Sequence, residues 1–145
     1  MSAPSSSHFL VSLQFSAIGL GVFPFTESTT PLWLIISILG GLVGIFTLAH
    51  NKLGNFGVYP EPVDGAQLIT SGPYRWVRHP MYLSLLLFMF GIIMYNGNVL
   101  NYLALPFLLI AIIGKMNKEE IYLRSLFTDY ADYSSRCKRV LPYIY

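Results

Sequence analysis

Arg78 and His79 stand side by side at the head of a long apolar run, inside the stretch Gly72-Pro73-Tyr74-Arg75-Trp76-Val77-Arg78-His79-Pro80-Met81-Tyr82, and a Glu119-Glu120 pair returns two apolar segments later. A guanidinium and an imidazole beside each other bind carboxylates or phosphates, and carboxylates accept hydrogen bonds from ammonium groups or diols. Ionisable groups held close to a bilayer lose hydration unless they find a partner, so they are functional candidates by default. A rigid turn, a cationic cluster, an apolar hairpin and a returning carboxylate pair are suited to close around one polar molecule at a membrane boundary. Cys137 is the only cysteine, which excludes a disulfide framework and a cysteine-rich metal centre.

The elements that must position these groups are apolar. With 54% hydrophobic and only 11% charged residues, and a mean hydropathy of +0.55, the 145-residue chain is too apolar for a soluble domain with an ordinary charged surface. The expected fold is an all-α integral membrane protein of about four transmembrane helices with a C-terminal amphipathic cytosolic helix. The spans fall at about residues 9–25, 31–49, 81–95 and 99–114, and residues 1–145 form a single domain. Tyr74, Trp76, Tyr95 and Tyr102 suit the interfacial belt at the ends of these spans. No Lys or Arg precedes the first stretch and no small-residue cleavage site follows it, so it reads as a retained helix, not a signal peptide. Ser12, Gln14 and Ser16, and Gly40, Gly41 and Gly44 in the second stretch, are expected to face neighbouring helices.

All nine Lys and Arg residues fall on the side shared by the termini and the connection between the second and third spans: Lys52, Arg75, Arg78, Lys115, Lys118, Arg124, Arg136, Lys138 and Arg139. The loops around Glu27 and around Asn96-Gly97-Asn98 carry none. The positive-inside rule therefore places both termini and the charged motifs in the cytosol, as in a prokaryotic inner membrane protein. The juxtamembrane positions of these charges account for the pI near 8.7 without nucleic acid as a partner. The connection over residues 50–80 holds Gly54, Gly57, Pro60, Pro62, Gly65, Gly72 and Pro73, which disfavour a continuous helix, and its aromatics Phe56, Tyr59, Tyr74 and Trp76 favour a folded functional loop. After Gly114 a 100° periodicity aligns Met116, Leu123, Leu126, Phe127, Tyr130 and Tyr133 in one amphipathic helix. Glu119 lies within that apolar stripe and Glu120 at its edge, so both are expected to point back into the protein.

Leu68-Ile69-Thr70-Ser71-Gly72-Pro73-Tyr74-Arg75-Trp76-Val77-Arg78-His79-Pro80-Met81-Tyr82, then Glu119-Glu120, then Tyr130, Tyr133, Arg139 and Leu141-Pro142-Tyr143-Ile144, resemble the isoprenylcysteine carboxyl methyltransferase family and its short prokaryotic members. The phospholipid N-methyltransferases share a looser version. The resemblance covers residues 68–144, and it rests on Arg-His-Pro-x-Tyr combined with the paired glutamates. It implies an enzyme, a membrane methyltransferase holding S-adenosyl-L-methionine in a cytosol-facing pocket without a metal. Tyr74, Arg78, His79, Tyr82, Glu119 and Glu120 would bind the cofactor, with Arg78 and Glu120 also serving catalysis. The implied acceptor is a lipophilic or lipid-like molecule met at the membrane surface, foremost a carboxyl group of an isoprenylcysteine-like substrate. N- or S-methylation of a lipid amine or small thiol is the alternative. Ser84 departs from the family's frequent glycine at that position, and the absence of the extra N-terminal spans of the eukaryotic enzymes weakens the case for a prenylated protein substrate. Two rival readings are an NADPH-dependent membrane reductase similar to the sterol reductases and a non-catalytic helical membrane partner.

Overall fold

The structure, a computed structural model, describes residues 4–26, 30–51, 55 and 57–144; the expectations resting on Glu27, Lys52, Gly54 and Phe56 lie outside the described residues. The architecture is all-helical, with no strand among the described residues. Helix α1 covers Ser5–Val22, α2 Trp33–His50, α3 Pro80–Asn96, α4 Val99–Tyr102, α5 Ala104–Leu126 and α6 Tyr130–Arg136, with a 3-10 turn at Gly72–Arg75. Trp33–His50 and the 28-residue stretch Val99–Leu126 are long and apolar enough to cross a bilayer, and Pro80–Asn96 is a shorter apolar helix. Ile38, Leu42 and Ile45 on α2 are each more than half exposed, a run of bare apolar surface suited to contact with lipid.

Local chemistry sets the ends of the central hairpin. Pro80 opens α3, where its fixed φ suits the first turn and its missing N–H costs nothing. Gly97 closes the helix in the left-handed region at φ 65°, and its N–H donates to the Ile93 carbonyl at 3.1 Å. Asn98 then caps α4 by accepting from the Leu100 N–H at 2.9 Å.

Small residues let α2 and α3 meet backbone to backbone. A Cβ on Gly40 would lie 2.5 Å from the Phe88 backbone nitrogen, and one on Gly91 would lie 2.2 Å from Ser37 Oγ. Ser37 and Ser84 donate across this interface to the carbonyls of Phe88 and Gly40, at 2.9 and 2.8 Å. Gly41 has open space beside it, and Ser12 and Ser16 are exposed, so these three do not serve the packing expected of them. Helix α1 lies along α5, and Ala17, Met89, Ile93, Leu108, Ile112 and Met116 form the core between the helices.

The C-terminal half departs from the expected pattern. No break occurs at Gly114: α5 runs on to Leu126, and the chain leaves the helix at Phe127, whose backbone is extended. The stripe read as one amphipathic helix is therefore split between α5 and α6. Met116, Tyr130 and Tyr133 are buried, whereas Leu126, at the last position of α5, is 57% exposed. Beyond α6 the tail runs parallel to residues 77–79, with the Arg78 and His79 N–H groups donating to the carbonyls of Lys138 and Arg139 at 2.8 and 2.9 Å. The loop before α3 is irregular as expected, and the Asn55 side chain ties it together by exchanging hydrogen bonds with the backbone of Gln67.

Candidate active site

The tail pairing fixes the backbone of Arg78 and His79 just before α3, opposite the turn of α5 that carries the two glutamates. Glu120 is the hub. Its Oε1 accepts from Arg78 Nε at 3.0 Å and lies 3.0 Å from Arg78 Nη2 and 3.2 Å from His79 Nε2, while its Oε2 lies 3.0 Å from Arg139 Nη2. The Glu120 side chain is only 5% exposed, and such a carboxylate holds its charge in a buried place because cations surround it. Arg78 reaches further: its Nη1 donates to the Ser134 carbonyl at 2.8 Å and to the Cys137 carbonyl. One guanidinium thus clamps the end of α6 onto α5.

Glu119 faces the other way. Its Oε2 lies 3.4 Å from His79 Nδ1, and its Oε1 accepts from the Tyr82 hydroxyl. Both nitrogens of the His79 ring therefore face carboxylates, an arrangement that favours the doubly protonated imidazolium. Burial alone would push the His79 pKa down, but the hydrogen bonds and charges of Glu119 and Glu120 outweigh it and hold the ring above its ordinary value.

Glu119, His79, Arg78, Tyr82 and Tyr74 line a cavity of about 470 Å³ between α1, α3, α5 and the loop, which roofs it with residues 57–62 and 66–69. That volume falls within the ~300–1,000 Å³ of typical small-molecule sites. Lys115, Glu119 and Leu123 follow one another at single-turn intervals along its α5 wall. Lys115 donates to Gln14 Oε1 and to the Val58 carbonyl, each at 2.8 Å. Tyr74, Tyr130 and Tyr133 form the opposite end. Tyr133 donates to the Tyr74 carbonyl at 2.7 Å and packs edge-on against Tyr130, ring centroids 5.9 Å apart. Burial, then the Glu119 charge, pushes the Tyr74 phenol up to about 12; burial, then the Glu120 charge, does the same to Tyr130. Tyr130 is fully buried, and its hydroxyl has no hydrogen-bond partner among the described residues.

The structure thus brings together all six residues singled out from the sequence, in two layers. Tyr74, Arg78, His79, Tyr82 and Glu119 reach the cavity wall, whereas Glu120 lies behind it, holding Arg78, His79 and Arg139 in place. Sequence reasoning missed Lys115 and Gln14 as cavity groups. Arg139, counted from the sequence among the juxtamembrane charges, is paired with Glu120 in the structure. The signal for Lys115 was present: it precedes Glu119 by four residues and so shares its helix face.

Chemically, the cavity offers a cation, an imidazole, carboxylates and phenols at one apolar rim, which is a binding set for a zwitterionic polar molecule beside a membrane. A family model described as phospholipid methyltransferase matches residues 32–130, more than half the chain, including Arg78, His79, Tyr82 and both glutamates. No curated protein matches the chain.

Proposed function

The chain belongs to the phospholipid methyltransferase family, and from that premise we propose that it is a membrane methyltransferase using S-adenosyl-L-methionine on a lipophilic acceptor. The observation that carries this reading is the convergence of His79, Tyr82 and Glu119 on one cavity, backed by Glu120 and its two arginines. The cofactor presents an α-carboxylate, an ammonium, a ribose diol and a purine, and its sulfonium supplies an electrophilic methyl group. The donor set fits. Arg78 and His79 suit the carboxylate and purine region, Glu119 the ammonium or diol, and the unpartnered Tyr130 hydroxyl stands ready to donate to a polar ligand atom. Tyr74 and Tyr82 wall the same space, and Glu120 acts by positioning Arg78 and His79.

The preferred acceptor is an isoprenylcysteine-like carboxylate, which is already ionised and requires no base. The Glu119 carboxylate at the cavity wall, 3.4 Å from His79, favours a second reading, methylation of an amine or thiol, in which Glu119 removes the acceptor's proton. The proposed setting is a single domain over residues 1–145, with four spans, the cofactor region within residues 68–144, and both termini and the cavity facing the cytosol of a prokaryotic inner membrane. The test is transfer of a radiolabelled methyl group from S-adenosyl-L-methionine to organic-extractable product by the purified protein in lipid. Transfer to a farnesyl thioether carboxylate is expected; turnover of long-chain amines alone would favour the second reading, and no transfer to any lipophilic acceptor would reject both.

A further inference from the structure

Lys115 is a buried cation for which the site described above has no use. It is 4% exposed, it lines the cavity, and it stands one helical turn further into the apolar stretch Val99–Leu126 than Glu119. A lysine in such a segment ordinarily snorkels to water or pairs with an acid. Lys115 does neither. Its Nζ donates to two neutral oxygens, Gln14 Oε1 of α1 and the Val58 carbonyl of the loop, and lies 5.5 Å from the centre of the Tyr82 ring. Among the described residues no carboxylate comes within ion-pair distance: Glu119 is engaged by His79 and Tyr82, and Glu61 accepts from Ser7.

Three elements therefore converge to hold the ammonium at the cavity wall without a direct ion pair, the charges of Glu119 and Glu61 acting on it only from beyond contact distance. Neutral oxygens orient the ammonium without neutralising it, and with two of its three donors used one N–H is left for a ligand. The surroundings define what would complete it. Leu85, Phe15 and Phe88 line the same cavity, and Phe15 and Phe88 are 55% and 43% exposed, so apolar surface borders the cavity where α1 and α3 line it. We propose that Lys115 binds the anionic head group of the methyl acceptor, making this end of the cavity the acceptor subsite with the apolar tail leaving between α1 and α3. The assignment rests on the methyltransferase reading for the word acceptor, but the binding preference it predicts can be measured without turnover.

An anionic head is common to lipophilic carboxylates and lipid phosphates, so the experiment uses three probes with one tail: a farnesyl thioether carboxylate, farnesyl phosphate and the farnesyl thioether primary amide. Their affinities are measured by calorimetry for the detergent-purified wild type, Lys115→Met and Lys115→Arg. The wild type is expected to bind one anionic probe about tenfold or more tighter than the amide, the tighter one identifying the source. Lys115→Met should erase that preference while leaving amide and S-adenosyl-L-methionine affinities within about twofold, and Lys115→Arg should keep it. Should Lys115→Met fail to fold, Lys115→Gln, which retains hydrogen bonding without charge, takes its place. A preference that survives loss of the charge, or its absence from the wild type, would reduce Lys115 to a strut between α1 and the loop. A fall in cofactor affinity with the preference intact would assign Lys115 to the cofactor instead. Failure of the wild type to bind S-adenosyl-L-methionine while still preferring anions would sink the methyltransferase reading and leave the anion subsite standing.

Discussion

The two adjacent glutamates have different work, and substitution should separate them. Glu119 faces the cavity with a quarter of its side chain exposed, whereas Glu120 is buried among Arg78, His79 and Arg139. Glu119→Gln is expected to weaken S-adenosyl-L-methionine binding roughly tenfold with little change in melting temperature, since it removes a charge-assisted contact worth ~1.5–3 kcal/mol. Glu120→Ala leaves two guanidiniums facing a void and should destabilise the protein by ~3–5 kcal/mol, with cofactor affinity falling because Arg78 and His79 lose their anchor. Calorimetry and thermal melts on the same preparations read both quantities, and equal effects of the two substitutions would contradict the layered site. His79 adds a pH signature. Its folded-state pKa is raised, so the stability it contributes is fully present below the unfolded value of about 6.5 and is lost as pH rises through the folded value. Melting temperature should accordingly decline from about pH 6.5 upward in the wild type, and His79→Gln should flatten that decline.

At the scale of the helices, the α2–α3 contact makes a graded prediction. Gly91→Ala places a methyl group 2.2 Å from Ser37 Oγ and 2.7 Å from the Trp33 carbonyl, an overpacking expected to cost ~1–3 kcal/mol. Gly41→Ala has nothing within 4 Å and should be neutral or slightly stabilising, because alanine favours the helix. Thermal unfolding in detergent decides between them, and equal losses would mean that α2 and α3 do not meet through these faces. This contrast also shows where the sequence stopped being informative. Gly40, Gly41 and Gly44 look alike in an apolar run, and only the rotation of α2 against α3 separates packing from bystander. The same holds at Gly114, where composition suggested a helix boundary but hydrogen bonding carries α5 through to Leu126. By contrast, Arg78-His79-Pro80, Tyr82 and the glutamate pair were legible because ionisable groups at apolar boundaries have few neutral explanations. The parallel pairing of residues 77–79 with the tail, which sets the angle of Arg78, was not legible: it joins segments sixty residues apart that carry no strand pattern. Lys115 was overlooked for a similar reason, since its partners Gln14 and Val58 come from distant parts of the chain.

In the molecule as a whole, a polar cavity lies beneath an exterior rich in exposed apolar side chains. A cytosolic reporter fused at either terminus should be active, and a reporter active only on the far side of the membrane would strand the cavity away from the cytosolic cofactor. Acceptors should gain affinity with tail length, by up to ~0.8 kcal/mol per buried methylene. A methyl-transfer assay on one head group with tails of increasing length checks this, and equal turnover of short water-soluble acceptors would contradict entry from the bilayer. Whether the convergence of His79, Tyr82 and Glu119 is a cofactor site is decided by titrating the purified wild type and His79→Ala with S-adenosyl-L-methionine and, separately, with NADPH. Saturable S-adenosyl-L-methionine binding by the wild type, weakened about tenfold or more in a folded His79→Ala, and no saturable NADPH binding are expected. NADPH binding in its place, or S-adenosyl-L-methionine binding indifferent to His79, would contradict that assignment.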